Sequence, residues 1–228
     1  MYKFLTGFMF WVSISIFFIG LSVRFILYFK GLDWRLDRVA YKSYPFYAIK
    51  GALKSILKWI IPFLTHGWRK QSCMTIAFFT FHIGAVIVPF FGLAHNVFIR
   101  SKIGVSFFPV TLNQITTDVL SWLVIIGAVM LTTRRLILPQ AKILTKSSDY
   151  FILFLSVAPF ITGLCARYEV GNYLFWLYLH IICGEALLIA APFTKLSHIV
   201  LFFASRAQLG MDYGIKRGGM KSKKGINW

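Results

Sequence analysis

Apolar residues fall into five long runs along the chain, roughly 5–28, 74–97, 114–137, 149–168 and 173–203. A helix needs about 20 such residues to cross the hydrocarbon core of a bilayer, and the runs are of that order or longer. Little chain lies between them. The pattern predicts an all-α integral membrane protein, a five-transmembrane-helix bundle forming a single membrane domain over 1–228. The first run follows Lys3 as a signal peptide would, yet it is too long for such an apolar segment and no small-x-small site follows it. Arg24 and Lys30 close it as a stop, so it reads as a retained helix. Ser148 or Asp149 is placed to cap the fourth run.

Two segments depart from this pattern. Between residues 30 and 73, GLDWRLDRVAYK is polar and aromatic and suits the headgroup level, and FYAIKGALKSILKWIIPF (about 46–63) is amphipathic. In the latter Lys50, Lys54 and Lys58 recur every four residues beside Ile49, Leu53, Leu57 and Ile60. That spacing predicts a helix lying in the inner interface with its lysines toward lipid phosphates, a surface that also suits a docking cytoplasmic subunit. The tail 207–228 is glycine-rich and basic, and reads as an extended cytoplasmic arm.

Composition agrees with a membrane protein. The chain is 58% hydrophobic and only 14% charged, where a soluble domain carries about a quarter charged residues. A formal net charge of +18 would suggest nucleic acid in a soluble chain, but the cations are distributed by topology. With the N-terminus outside, the inner segments hold Arg24, Lys30 through Lys70, Arg134, Arg135, Lys142, Lys146 and Arg206 through Lys224. The outer segments hold only Lys3, Arg100, Lys102 and Arg167. This positive-inside asymmetry places the N-terminus in the periplasm and the C-terminus in the cytoplasm, and assigns the basic residues to topology and anionic lipid.

Four of the five histidines lie in the second and fifth runs, where an imidazole is costly without a partner or a role. His180 and His198 are eighteen residues apart, which on one helix is five whole turns and roughly 27 Å, so both face one side. His82 and His95 lie on a run of opposite direction, which puts His82 level with His198 on the inner side and His95 level with His180 on the outer. Two antiparallel helices bearing histidines at two matched depths suit two bis-histidine b-type haems, an inner pair His82/His198 and an outer pair His95/His180. The alternative is that the four bond one another or line a proton path. Thirteen residues separate His82 from His95, about 20 Å and about 220° on an ideal helix, so Pro89 is expected to change the phase. Pro192 is expected to do the same for the longer interval.

Gly84, Gly92 and Gly184 near these histidines leave room for a porphyrin, or serve ordinary close packing. Cys73, Cys165 and Cys183 are scattered without CxxCH, which argues against attached c-type haem. Lys195 and Arg167 are candidates for haem propionates at the inner and outer sites, though Lys195 can instead snorkel to the surface. Glu185, Asp118 and His66 are candidate contacts for a quinone such as menaquinone. None of these residues forms a recognisable substrate-transforming site, so the chain reads as an electron-transfer subunit of an oxidoreductase complex rather than a catalyst on its own.

Five spans, an outer N-terminus and histidine pairs in spans two and five resemble the dihaem cytochrome b gamma subunits of respiratory nitrate reductases. GLDWRLDRVAYK, AFFTFHIGAVIVP, APFTKLSHIVLFF and SRAQLGMDYGIKRGG are more closely similar to the cytochrome b subunits of transmembrane redox complexes in sulfate-reducing bacteria, in particular the high-molecular-weight cytochrome c complex. The resemblance implies that His82, His95, His180 and His198 are axial ligands of two haem b groups in a bacterial inner membrane. It also implies partners: a periplasmic multihaem cytochrome c, iron–sulfur subunits including a cytoplasmic one, and other membrane subunits. Its implied activity is electron transfer across the membrane in sulfate respiration; the alternative is a quinol-oxidising or quinone-reducing subunit with a quinone site beside one haem.

Overall fold

The computed structural model describes residues 1–32, 44–105 and 110–216. Most of GLDWRLDRVAYK and the last twelve residues of the chain lie outside the described residues. The helices are α1 (Tyr2–Lys30, with a π-turn at Leu5–Met9), α2 (Pro45–Ile60), α3 (His66–Lys70), α4 (Ser72–Phe91) and α5 (Leu93–Ile103). Then follow α6 (Gln114–Ile137), α7 (Pro139–Leu144), α8 (Ser147–Arg167), α9 (Tyr173–Ala190) and α10 (His198–Lys216). Five segments, Tyr2–Lys30, Ser72–Phe91, Gln114–Ile137, Ser147–Arg167 and Tyr173–Phe193, are long and apolar enough to cross a membrane. The protein is a multi-pass, all-α membrane protein whose helices present apolar side chains to lipid.

The second and fifth apolar runs do not form single helices. α4 passes straight through Pro89 and stops at Phe91, and Gly92 is extended (φ −61°, ψ 132°) before α5 begins. The carbonyl of Phe91, released by that break, accepts the Leu112 N–H at 2.8 Å. His95 therefore belongs to α5 and not to the helix of His82; the phase change comes from Gly92 rather than from a kink at Pro89.

The expected run 173–203 is interrupted in the same way. α9 ends at Ala190, a single 3-10 turn covers Ala191–Phe193, and Thr194 is extended (φ −120°, ψ −174°). Pro192 has no N–H to continue the helical ladder. Thr194 Oγ1 accepts the Leu196 N–H at 3.3 Å and so caps the 3-10 turn Lys195–Ser197 that leads into α10. The freed Pro192 carbonyl accepts from Arg24 Nε at 2.8 Å, which gives this topogenic arginine a structural partner. His198 opens α10, so His180 and His198 do not share a helix. The expected arm 207–228 is likewise helical as far as Lys216. Span four begins one residue before the expected cap: Lys146 holds the N-cap position and Asp149 Oδ2 accepts its N–H at 3.0 Å.

The chain forms two compact units. The first comprises Met1–Trp11 and Ile76–Leu187. In it α6 buries Ser121, Val124, Gly127, Ala128 and Leu131, and Asn113 caps it by accepting the Thr116 N–H at 2.8 Å. α4 crosses α6 closely, through small residues on both sides. A side chain at Gly84 would strike Leu120 O at 2.6 Å, and one at Gly127 would strike Phe81 N at 2.8 Å. Gly84 thus serves helix packing, not a porphyrin.

The second unit comprises Val12–Thr75 and Leu188–Trp228. Its centre is the pair α2 and α10, which meet at Gly51 and Gly210. A Cβ on Gly210 would collide with Gly51 O and lie 2.7 Å from Gly51 C and 2.8 Å from Ser55 Cβ. Ala48 and Ala204 are buried in this unit, and Arg206 stacks its guanidinium 4.1 Å from the centre of the Trp59 ring, a cation–π contact of about 0.5–2 kcal/mol. Tyr28 of α1 donates its hydroxyl to Gln208 Oε1 at 2.5 Å.

Replacing Gly210 by leucine should therefore destabilise the second unit by about 1–3 kcal/mol through overpacking, seen as a lower melting temperature of the detergent-solubilised protein. Gly7→Ala, where a Cβ meets nothing within 4 Å, should leave that temperature unchanged.

Candidate functional site

His82 and His180, in membrane-crossing helices, and His95 and His198, just beyond such helices, share one geometry. His82 Nδ1 lies 2.8 Å from Phe78 O, His95 Nδ1 3.4 Å from Val88 O, His180 Nδ1 2.7 Å from Pro159 O and His198 Nδ1 2.9 Å from Lys195 O. A carbonyl oxygen only accepts, so each of these nitrogens donates and carries the ring proton. A neutral imidazole protonated at Nδ1 bears its lone pair on Nε2, and a metal-ligating histidine characteristically donates its other ring N–H to just such a partner. Four separate backbone carbonyls thus select the ligand tautomer.

Local structure explains each orientation. His82 bonds one turn back along α4, and its ring stacks on Phe78 with centroids 3.9 Å apart. Val88 O, which already accepts the Gly92 N–H at 2.9 Å, also receives His95 because the chain turns at Gly92. His180 reaches across from α9 to α8, where Gly163 makes space for it: a Cβ there would press on His180 Cε1 and Nδ1 at 3.1 Å. Pro159 O receives a second donor, Thr162 Oγ1, at 3.1 Å. The 3-10 turn before α10 presents Lys195 O to His198.

His95 and His180 come together in the first unit. Their ring centroids are 5.7 Å apart with planes 21° from parallel. Metal–nitrogen bonds of about 2 Å on each side, plus a ring centre-to-nitrogen leg of about 1 Å each, separate the centroids of two axial imidazoles by roughly 6 Å. The His95/His180 pair is thus compatible in centroid spacing with two axial imidazoles on one iron. His82 belongs to the first unit and His198 to the second, and each fits the ligand role by its tautomer.

The other candidates fall in different settings. Arg167 Nε lies 3.8 Å from Asp118 Oδ2, so these two residues of the first unit form an ion pair at the end of α8. Glu185 is buried on α9, 7% exposed, and its Oε1 has no hydrogen-bond partner among the described residues. Lys195 is exposed, and its backbone rather than its side chain orients His198. His66 is exposed in the first turn of α3, behind the Thr65 cap whose Oγ1 accepts the Trp68 N–H at 3.1 Å. A Cβ on Gly184 meets nothing within 4 Å. The α9 segment that carries His180 has only 11% of its apolar window buried by this chain, against 44% for the α8 segment, so other apolar material must cover most of it.

Sequence reasoning missed Phe78, Val88, Pro159 and Lys195 as the carbonyls that orient the ligands, and Gly163 as the gap that admits His180. An in-helix proline followed four residues later by glycine was the only signal for the last two.

The chain is 54% identical to a protein of Nitratidesulfovibrio vulgaris (strain Hildenborough) over 228 residues, covering 100% of both chains. No family model matches it, and no solved structure matches it.

Filling the gap beside His180 should displace that imidazole. Gly163→Val is expected to destabilise the first unit by about 1–3 kcal/mol through overpacking, read as a lower melting temperature, with Gly7→Ala as the unaffected control.

Proposed function

The chain belongs to the same family as that Nitratidesulfovibrio vulgaris protein, and we propose that it is a membrane cytochrome b subunit of a respiratory redox complex. In this reading it binds two haem b groups and carries electrons across the bacterial inner membrane, between a periplasmic multihaem cytochrome c and a cytoplasmic iron–sulfur subunit. The observation that carries the proposal is the shared tautomer: His82, His95, His180 and His198 each give Nδ1–H to a backbone carbonyl.

Haem b, when bound, supplies one-electron chemistry at a potential set by its axial ligands, hydrogen bonds and burial. The chain's own residues hold and orient. Pro159 O and Val88 O fix the outer imidazoles in direction, and a hydrogen-bonded Nδ1–H makes Nε2 a stronger donor. His82 and His198 each carry the same tautomer and are assigned to the second haem from the sequence pattern alone. Apolar walls from α4, α6, α8 and α9 keep water from the outer pair. The excess of cations on the segments assigned to the cytoplasm supports an outer N-terminus, and the similarity of four sequence segments to sulfate-reducer cytochrome b subunits supports the partner set.

Single substitutions test the pairing. His95→Ala and His180→Ala should each abolish the same one of two low-spin haem signals, separable by redox potential. His82→Ala and His198→Ala should each abolish the other. Loss of one signal in common to both sets would overturn the arrangement.

A further inference from the structure

The second unit gathers cations that act on one another. Lys54 and Lys58 are one turn apart on α2, and the turn after α2, with Phe63 in the left-handed region (φ 61°), brings the chain back. Arg69 Nη1 donates to Phe63 O at 3.4 Å, which holds the guanidinium on the side of α2's end. Burial first, then the charges of Lys54 and Arg69, hold the Lys58 ammonium below the usual lysine range. No carboxylate relieves them nearby in sequence: the chain has no acidic residue between Asp37 and Asp118. Asp212 is the one carboxylate among the described residues of this unit, and the groups acting on Lys58 are both cations. Three cations so placed call for an external anion.

The same helix says what kind. Ala48 and Ser55 face inward and are buried. On the other side of α2, Ile49, Leu53, Leu57 and Ile60 are 59, 55, 55 and 45% exposed. At about 100° per residue, Lys50, Lys54 and Lys58 run down the flank between the buried face and this apolar stripe. An apolar stripe edged by lysines matches a helix lying at the level where acyl chains meet headgroups. The five membrane-crossing segments of the chain already place the molecule in a bilayer. A protein partner would account for the charge, but nothing in the arrangement calls for a second, lipid-like surface on it.

We propose that Lys54, Lys58 and Arg69 bind the headgroup of an anionic phospholipid while Ile49, Leu53, Leu57 and Ile60 rest among the acyl chains beside it. The phosphate adds negative charge where the described residues of this unit offer only Asp212, and draws the three cations together. This site does not rest on the haem reading, because none of its residues is one of the four histidines or their carbonyl partners.

The test uses the full chain in proteoliposomes with spin-labelled phosphatidylglycerol or spin-labelled phosphatidylcholine, comparing the motionally restricted fraction of each. The wild type should prefer phosphatidylglycerol, and 0.5 M NaCl should weaken that preference. A triple variant, K54Q/K58Q/R69Q, should lose it by about fivefold or more at low salt, with helicity and melting temperature unchanged. The charge-keeping variant K54R/K58R/R69K should retain it. Absence of a preference in the wild type would overturn the proposal, as would an equal preference in the folded triple variant. So would a triple variant that keeps its lipid preference but loses a copurifying protein subunit, since the face would then be a protein-docking surface.

Discussion

A backbone carbonyl within a bilayer has two lone pairs and no water to bond. In this protein three carbonyls of membrane-crossing helices, those of Phe78, Val88 and Pro159, take a donor from an imidazole Nδ1–H, and the exposed Lys195 carbonyl takes a fourth. The bond does two things at once: it satisfies main chain at depth and commits each ring to the tautomer whose Nε2 can bind a metal. The interruptions at Gly92 and Thr194 belong to the same economy of donors. Breaking a membrane helix strands carbonyls, and here Leu112 N–H and Arg24 Nε meet Phe91 O and Pro192 O at 2.8 Å each. Because these breaks are satisfied, His95 can approach His180 from α5, and His198 can open a helix of its own.

Much of the architecture was legible as pattern. Runs of apolar residues located five spans, and a four-residue lysine period located α2 within one residue of its start and three of its end. What could not be read was where a long apolar run stops being one helix. Pro89 drew suspicion, but a proline inside a helix removes one hydrogen bond without ending it, and α4 continues to Phe91. Gly92 ends it because the backbone there turns extended and Leu112, twenty residues on, supplies the donor. That partner is invisible to local periodicity. The carbonyl of Pro159, twenty-one residues from His180, is invisible for the same reason. Gly84 looked equally suited to a porphyrin or to a neighbouring helix, and only its closeness to Leu120 O decides for packing.

The two units divide the work along the chain. The first holds the outer pair His95 and His180, set by α8 on one side and the Gly92 turn on the other. The second is built around the crossing of α2 and α10 at Gly51 and Gly210, with Arg206 on Trp59 and Tyr28 on Gln208 fastening its members. Its outward face is basic and apolar, which suits a lipid headgroup. α9, only lightly covered by this chain, leaves apolar surface for lipid.

The central claim is that four imidazoles are presented at Nε2 as two axial pairs. It is met most directly by the haem content and spin state of the purified full-length chain. Two haem b per chain, both low-spin in absorbance and electron paramagnetic resonance, is the predicted result. A chain that purifies folded from haem-replete cells with no Soret band, or with a single high-spin haem, would contradict it.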